Sequence, residues 1–227
     1  TRSVFITNST FLVALLPLWW LFPEPVDTAL LWAPLAAGLA AFLGSIFQFM
    51  ALKLGDVSVA TPLLGGKVLF VALFSTLILG NVLPVSWWIG AVLADLGIFF
   101  LGQVPGQPFR GSRLGLTIAL SVLSVACFAM MDILIAGWGQ AFGFQRFVVL
   151  QQLLVMILTL GVIPFFQDSL WRMPGKCWPW LACGSLLMVV QFYILNWTIS
   201  TYGDPTAINI FYSSRGIWSV LLVWMIG

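Results

Sequence analysis

Two basic side chains lie deep inside long apolar segments of this sequence. Lys67 comes ten residues after Val57, and Arg215 comes ten residues after Pro205; Val57 and Pro205 begin these two segments. Ten residues of helix span about 15 Å, which reaches the middle of a hydrocarbon layer about 30 Å thick. An ammonium and a guanidinium both bind phosphate and carboxylate groups. The spacing therefore predicts a site for an anionic organic ligand at Lys67 and Arg215.

Two carboxylates, Asp95 and Asp132, also lie inside the apolar segments and allow other interpretations of the buried charges. Asp95 could form an ion pair with Lys67, and Asp132 could form one with Arg146, which lies near the start of the next segment. A buried pair would satisfy both charges without any ligand. The same two carboxylates are the candidates for a proton-coupled mechanism, which needs a titrating group. The anion site, the internal ion pairs and the coupling role all stay open at this point.

Further polar side chains are spaced so that they could line a cavity. Asn209 and Tyr212 share one helix face with Arg215, at steps of three residues. Gln48 and Gln191 lie inside apolar segments, where an unpaired amide that faced lipid would cost free energy. We expect these side chains to contact a substrate or, in the alternative interpretation, to join neighbouring helices by hydrogen bonds.

The composition indicates a membrane protein and excludes several other classes. Of the 227 residues, 61% are hydrophobic and 7% are charged, with a net charge of +2, whereas a soluble domain carries about 25% charged residues. So few charges exclude an ordinary soluble enzyme and a nucleic-acid-binding protein. The sequence has no His, and its three Cys form no closely spaced metal-binding pair. Because no catalytic dyad is apparent either, we predict neither an enzyme nor a cofactor.

Eight apolar segments have the length that a membrane-spanning helix needs, which is about 20 residues. Gly, Pro, Asn and Asp residues that favour turns separate them. The sequence therefore predicts an all-α polytopic membrane protein. The segments cover residues 5–22, 29–52, 57–80, 84–103, 114–137, 145–166, 177–200 and 205–227.

The segments also suggest an internal repeat. Lys67 lies eleven residues after Asp56 in the sequence, and Arg215 likewise lies eleven residues after Asp204. The third segment thus resembles the eighth, and the first resembles the sixth. We expect one further helix beyond each end of the chain, which gives an inverted repeat of five-helix units, as in many transporters. The predicted organisation is a first repeat at 1–104, a linker at 105–113 and a second repeat at 114–227.

The stretch from Gln48 to Leu101 carries motifs of a known family. It contains Ala-Leu-Lys-Leu-Gly-Asp, then Thr-Pro-Leu, Leu-Gly-Asn and Ile-Gly-Ala. These motifs resemble the third-to-fifth helix region of EamA-type transporters in the drug/metabolite transporter superfamily, except that Asn81 replaces their usual Glu. The resemblance implies a ten-helix inverted repeat around a central substrate cavity, of which this chain would supply helices two to nine.

The resemblance also implies a function. Members of the superfamily move small metabolites, and the plastid triose-phosphate translocators are similar in placing basic residues on the fourth and ninth helices. We therefore expect a secondary transporter in the bacterial inner membrane that moves a small phosphate- or carboxylate-bearing metabolite by alternating access. The alternative is a non-transporting structural or accessory membrane subunit of a larger complex that retains the transporter fold. The expected partners are a small-molecule substrate, the lipid bilayer and either a second copy in a homodimer or a larger membrane complex.

The predicted anion site leads to a first test. The substitution Arg215→Ala should abolish uptake of a sugar phosphate or an organic acid by liposomes that contain the protein, because it removes one of the two predicted anion-binding groups. Uptake that is unchanged after this substitution would remove Arg215 from the site.

Overall fold

The chain is almost entirely helical wherever its structure, a computed structural model, describes it. The described residues are 2–22, 26–54, 60, 63–101, 114–162, 178–214, 218, 221 and 224–225, and they contain no strand. Arg215 and the predicted linker 105–113 lie outside them. The α-helices are α1 (Arg2–Leu15), α2 (Leu18–Leu21), α3 (Trp32–Leu54), α4 (Lys67–Ile78), α5 (Val85–Leu101), α6 (Leu114–Phe142), α7 (Phe144–Val162), α8 (Trp178–Tyr202) and α9 (Pro205–Ser213), with a short 3-10 helix at Thr28–Leu30.

Five helical segments of the described ranges are long and apolar enough to cross a membrane. They are Val4–Leu21, Thr28–Leu54, Leu114–Phe142, Phe144–Val162 and Pro179–Tyr202. Two shorter apolar helices, Leu63–Ile78 and Val85–Gly97, correspond to the third and fourth predicted segments. The chain is therefore a polytopic membrane protein of helical structure, while the total of eight spans and the five-helix repeat stay predictions.

The third predicted segment is not one uninterrupted helix. A turn at Gly66 precedes α4, so that Lys67 is the first residue of this helix. At the other end, Asn81 donates from its side chain to the Ser75 hydroxyl over 3.0 Å and from its backbone N–H to the Ser75 carbonyl over 3.2 Å. Asn81, which stands where the family motif has Glu, thus connects the turn after α4 to this helix through two hydrogen bonds. Lys67 lies at a helix N-terminus, where the helix dipole is itself positive and a cation is unfavourable without a negative partner.

The chain folds as two compact units, and each unit takes residues from both halves of the sequence. Unit 1 consists of Thr1–Phe42 and Leu134–Gly203, and unit 2 consists of Leu43–Ile133 and Asp204–Gly227. In unit 1, α1 packs against α7 and α8; in unit 2, α4 and α5 pack against each other and against α9. The first and sixth segments are therefore neighbours in unit 1, and the third and eighth are neighbours in unit 2. The helices that correspond to each other in the predicted repeat therefore pack against each other. The repeat itself stays a prediction.

Neutral polar contacts accompany the apolar packing of unit 1. Leu15, Val149 and Val189 form a buried cluster between α1, α7 and α8. Beside it, the Asn8 amide donates to the Thr159 hydroxyl over 3.0 Å, and a second hydrogen bond of 3.2 Å runs from the α7 side chain Gln152 to the Asn8 carbonyl. Hydrogen bonds of this kind join helices in a medium that offers no water.

The packing of unit 2 decides which face of α6 is buried. Val71 on α4 packs against Ala129 and Ile133 on α6, which are four residues apart and therefore lie on one helix face. On α6, Asp132 is three residues after Ala129, so the same face carries the carboxylate. A hydrogen bond of 2.8 Å from the Ser124 hydroxyl to the Gly44 carbonyl joins α6 to α3.

A glycine in unit 1 permits a close helix contact that can be tested. A Cβ atom at Gly38 on α3 would lie 2.8 Å from the Gln151 carbonyl oxygen and 3.2 Å from the Leu154 Cβ on α7. Because the oxygen belongs to the backbone of a helix, we expect Gly38→Ala to destabilise the protein by about 1–3 kcal/mol. Thermal unfolding in detergent measures this loss.

The matched control is Gly161→Ala on α7, where an added Cβ meets nothing within 4 Å. This variant should be neutral or slightly stabilising, since Ala favours a helix over Gly by up to about 1 kcal/mol. Equal stability of the two variants would contradict the close contact at Gly38.

Candidate functional site

Lys67 forms an ion pair with a buried carboxylate of unit 2. The Lys67 Nζ atom lies 2.6 Å from Asp132 Oδ2, and the side chains are 22% and 0% exposed, respectively. This pair corrects the expectation from sequence, which considered Asp95 as the partner of Lys67. The partner is Asp132 because it projects from the α6 face that packs on α4.

Asn209 is the third member of this cluster. Its side-chain nitrogen donates to Asp132 Oδ2 over 2.8 Å and to the Pro205 carbonyl over 2.9 Å, and the residue is 2% exposed. The Pro205 carbonyl lies one turn earlier in α9, so it orients the amide toward Asp132. The cluster therefore links α4, α6 and α9 through one carboxylate oxygen.

Asp95 approaches the same helix end from α5. Both of its carboxylate oxygens are buried, and the carboxylate faces the backbone N–H of Leu69 in the first turn of α4. A Cβ atom at Gly66 would lie 3.7 Å from Asp95 Oδ2, so this carboxylate faces the turn that precedes Lys67. A carboxylate is favoured there, because the first amides of a helix carry a partial positive charge.

The other predicted site residues are distributed over both units. Tyr212 lies on α9 and Gln48 on α3, both half-buried and both in unit 2. Gln191 lies on α8 in unit 1, at an exposed position. The cluster thus contains Lys67 and Asn209 from the predicted substrate-binding set, together with Asp132.

The sequence predicted that Arg146 pairs with Asp132, but the structure places the Arg146 side chain against Trp19. Its guanidinium carbon lies 5.2 Å from the centre of the Trp19 ring, a cation–π contact within unit 1. Its Nε atom is buried and has no hydrogen-bond partner in the described ranges. The acidic partner that sequence spacing suggested for Arg146 is bound by Lys67 instead.

The sequence interpretation missed the polar residues of α1. Asn8 bonds to Thr159, and Thr7 lies 3.4 Å from the Ser185 hydroxyl. An Asn inside an apolar segment was a signal that could have identified this contact, because a membrane-embedded amide needs a partner. All four groups are neutral, so we interpret them as contacts between helices of unit 1.

The cluster in unit 2 combines a fixed anion with an accessible cation. Asp132 is fully buried and held by two donors, whereas Lys67 is partly exposed and carries three N–H groups. The ammonium can therefore contact a second anion while the carboxylate stays in the protein. Within the described part of the chain, no group of three or more His, Cys, Asp and Glu residues could hold a metal ion.

The ion pair can be tested by its effect on stability. The substitution Lys67→Met removes the counter-charge of a buried carboxylate, and we expect it to destabilise the protein by about 2–4 kcal/mol. The double variant Lys67→Met/Asp132→Asn removes both charges and should recover a large part of this loss. Unfolding by denaturing detergent measures both values.

The matched control is Lys53→Met, at an exposed position in the last turn of α3. Its stability should stay close to that of the unchanged protein. Additive losses in the double variant, without recovery, would contradict the pairing of Lys67 with Asp132.

Comparison with known proteins agrees with the family motifs. Residues 1–103 match the sequence profile of the EamA-like transporter family. No curated protein matches the chain. The matched range contains α1 to α5 and therefore Lys67 of the cluster, as well as Asp95. Residues 1–103 are therefore similar to the EamA-like transporter family, which is part of the drug/metabolite transporter superfamily.

Proposed function

We propose that this protein is a secondary transporter that moves a small anionic metabolite across the membrane by alternating access. The family match supports a transporter-like role, and the cluster around Lys67 supports an anionic substrate. Phosphate and carboxylate are the groups that an ammonium binds most strongly in a setting with little water.

The observation that carries the proposal is the unequal exposure of Lys67 and Asp132. The lysine side chain is 22% exposed, while its carboxylate partner is fully buried. A ligand can therefore reach the ammonium without displacing Asp132 from the interior.

The helix break at Gly66 adds a second feature that suits an anion. Lys67 begins α4, and the first amide groups of a helix have no partners within it. Interrupted helices whose positive ends point at anionic substrates occur in the binding sites of several transporters. An anion beside Lys67 would thus meet an ammonium at the positive end of the α4 dipole, where the Asp95 carboxylate also lies.

A second candidate function rests on the same ion pair. Lys67 and Asp132 already neutralise each other, and Asn209 adds a further hydrogen bond. Such a cluster can hold helices together without any substrate. A non-transporting accessory subunit would need no more than this, and uptake measurements separate the two candidates.

The proposed function is tested by uptake into liposomes that contain the purified chain. The probes are radiolabelled gluconate, glucose 6-phosphate and inorganic phosphate, which present a carboxylate or a phosphate. The substitution Lys67→Gln should lower uptake of the transported probe at least about tenfold, because a hydrogen bond to a charged group contributes about 1.5–3 kcal/mol.

The control is Lys53→Gln, which changes an exposed lysine outside the cluster by the same substitution. It should transport as the unchanged protein does. Tight vesicles that take up none of the three anions would favour the accessory subunit. Uptake that Lys67→Gln leaves unchanged would remove Lys67 from the substrate site.

A further inference from the structure

The two oxygens of the Asp132 carboxylate have very different surroundings. Oδ2 accepts hydrogen bonds from Lys67 and from Asn209, over 2.6 and 2.8 Å. Oδ1 is buried and has no hydrogen-bond partner in the described chain. An ionised carboxylate is stabilised by donors on both oxygens, so Asp132 is held through one side only.

Asn209 fixes Asp132 independently of Lys67. Its side-chain nitrogen makes two hydrogen bonds, one to Asp132 and one to the Pro205 carbonyl. Both N–H groups of the amide are therefore in use, and its orientation does not depend on the lysine. If Lys67 turned to another anion, Asp132 would keep a single neutral donor.

Among the residues of unit 2 that the structure describes, no other charged group could replace Lys67 as a counter-ion to Asp132. Asp95 on α5 is a second carboxylate, and the phenol of Tyr212 on α9 cannot carry a positive charge. On α6, Asp132 is the only charged residue, and the titratable Cys127 is neutral as a thiol.

Asp204 precedes α9, outside the long spans, and burial raises its pKa. In the described residues of unit 2, the cation other than Lys67 is Lys53, which is exposed in the last turn of α3.

A fully buried carboxylate that loses its cation is strongly destabilised unless it takes up a proton. In Asp132, Oδ1 is the oxygen that is open to that proton, since Oδ2 is already occupied by two donors. The substrate anion would then bind to Lys67 and the proton to Asp132 in the same step. The cluster would keep the same total charge before and after a monovalent anion binds.

We propose that Asp132 is the residue that couples proton binding to transport. Without substrate, Asp132 forms the ion pair with Lys67. When a substrate anion binds Lys67 instead, Asp132 is protonated on Oδ1. This inference rests on the proposed function. In each cycle, one external proton and one anion bind, the Lys67–Asp132 contact opens, and a Lys67–anion contact replaces it. Release of both inside restores the carboxylate and the ion pair. A monovalent anion therefore enters without net charge.

The inference is tested with gluconate, whose own carboxyl group stays ionised between about pH 6 and about pH 8. Uptake into liposomes at fixed internal pH should rise as the external pH falls, by up to about tenfold per pH unit for one coupled proton. In Asp132→Asn, uptake should persist and lose this dependence, because an amide cannot take up the proton and does not hold Lys67 as a counter-ion.

Two further Asp→Asn substitutions make the test specific. Asp27→Asn changes an exposed residue of unit 1 and should keep both the uptake and the pH dependence. Asp95→Asn changes the other buried carboxylate of unit 2 and should keep the pH dependence as well. Loss of the pH dependence in Asp95→Asn, with its retention in Asp132→Asn, would overturn the assignment to Asp132.

A second measurement does not depend on the stability of Asp132→Asn. Binding of gluconate to the unchanged protein in detergent should take up about one proton per anion, read with a pH indicator. Infrared difference spectra should show a new protonated carboxyl band, and Asp132→Glu should shift its frequency. Uptake without proton binding or this band would overturn the coupling role and leave the proposed function intact. Absence of any anion uptake would overturn both.

Discussion

The structure of unit 2 depends on the need to neutralise one ammonium inside an apolar bundle. Lys67 begins α4, where the helix dipole adds to its positive charge. Asp132 on α6 supplies the negative partner at 2.6 Å, and Asn209 on α9 holds the same carboxylate oxygen. Three helices must therefore pack in one register to satisfy a single charge. Val71 on α4 packs against Ala129 and Ile133 on the α6 face that carries Asp132.

The two compact units use polar groups in different ways. In unit 1 the contacts between α1, α7 and α8 are hydrogen bonds among neutral amides and hydroxyls. Such contacts are directional and can be made without any ion. In unit 2 the contacts include a cation, a carboxylate and a second buried carboxylate at Asp95. A charged group responds to protonation and to a nearby ion, whereas a hydrogen bond between neutral groups does not change its charge.

The membrane class and most of the helices followed from the sequence, because hydropathy and turn residues act locally. The short list of buried charges followed in the same way, since few charged residues lie inside the apolar segments. Lys67, Asp132 and Asn209 were all among the candidates. The helix break at Gly66 was less visible, because two glycines inside an apolar segment are compatible with a helix as well as with a turn.

The sequence by itself determined that this is a helical membrane protein, which motifs it carries, and which ionisable side chains must be explained. Only the tertiary structure decided that Lys67 pairs with Asp132 and not with Asp95, and that Arg146 lies over Trp19. Nor does the sequence show that one Asp132 oxygen has no donor among the described residues. The reason is physical: helix formation depends on neighbours along the chain, whereas an ion pair depends on which helix faces meet. Residues far apart in sequence come into contact only through the packing of whole helices.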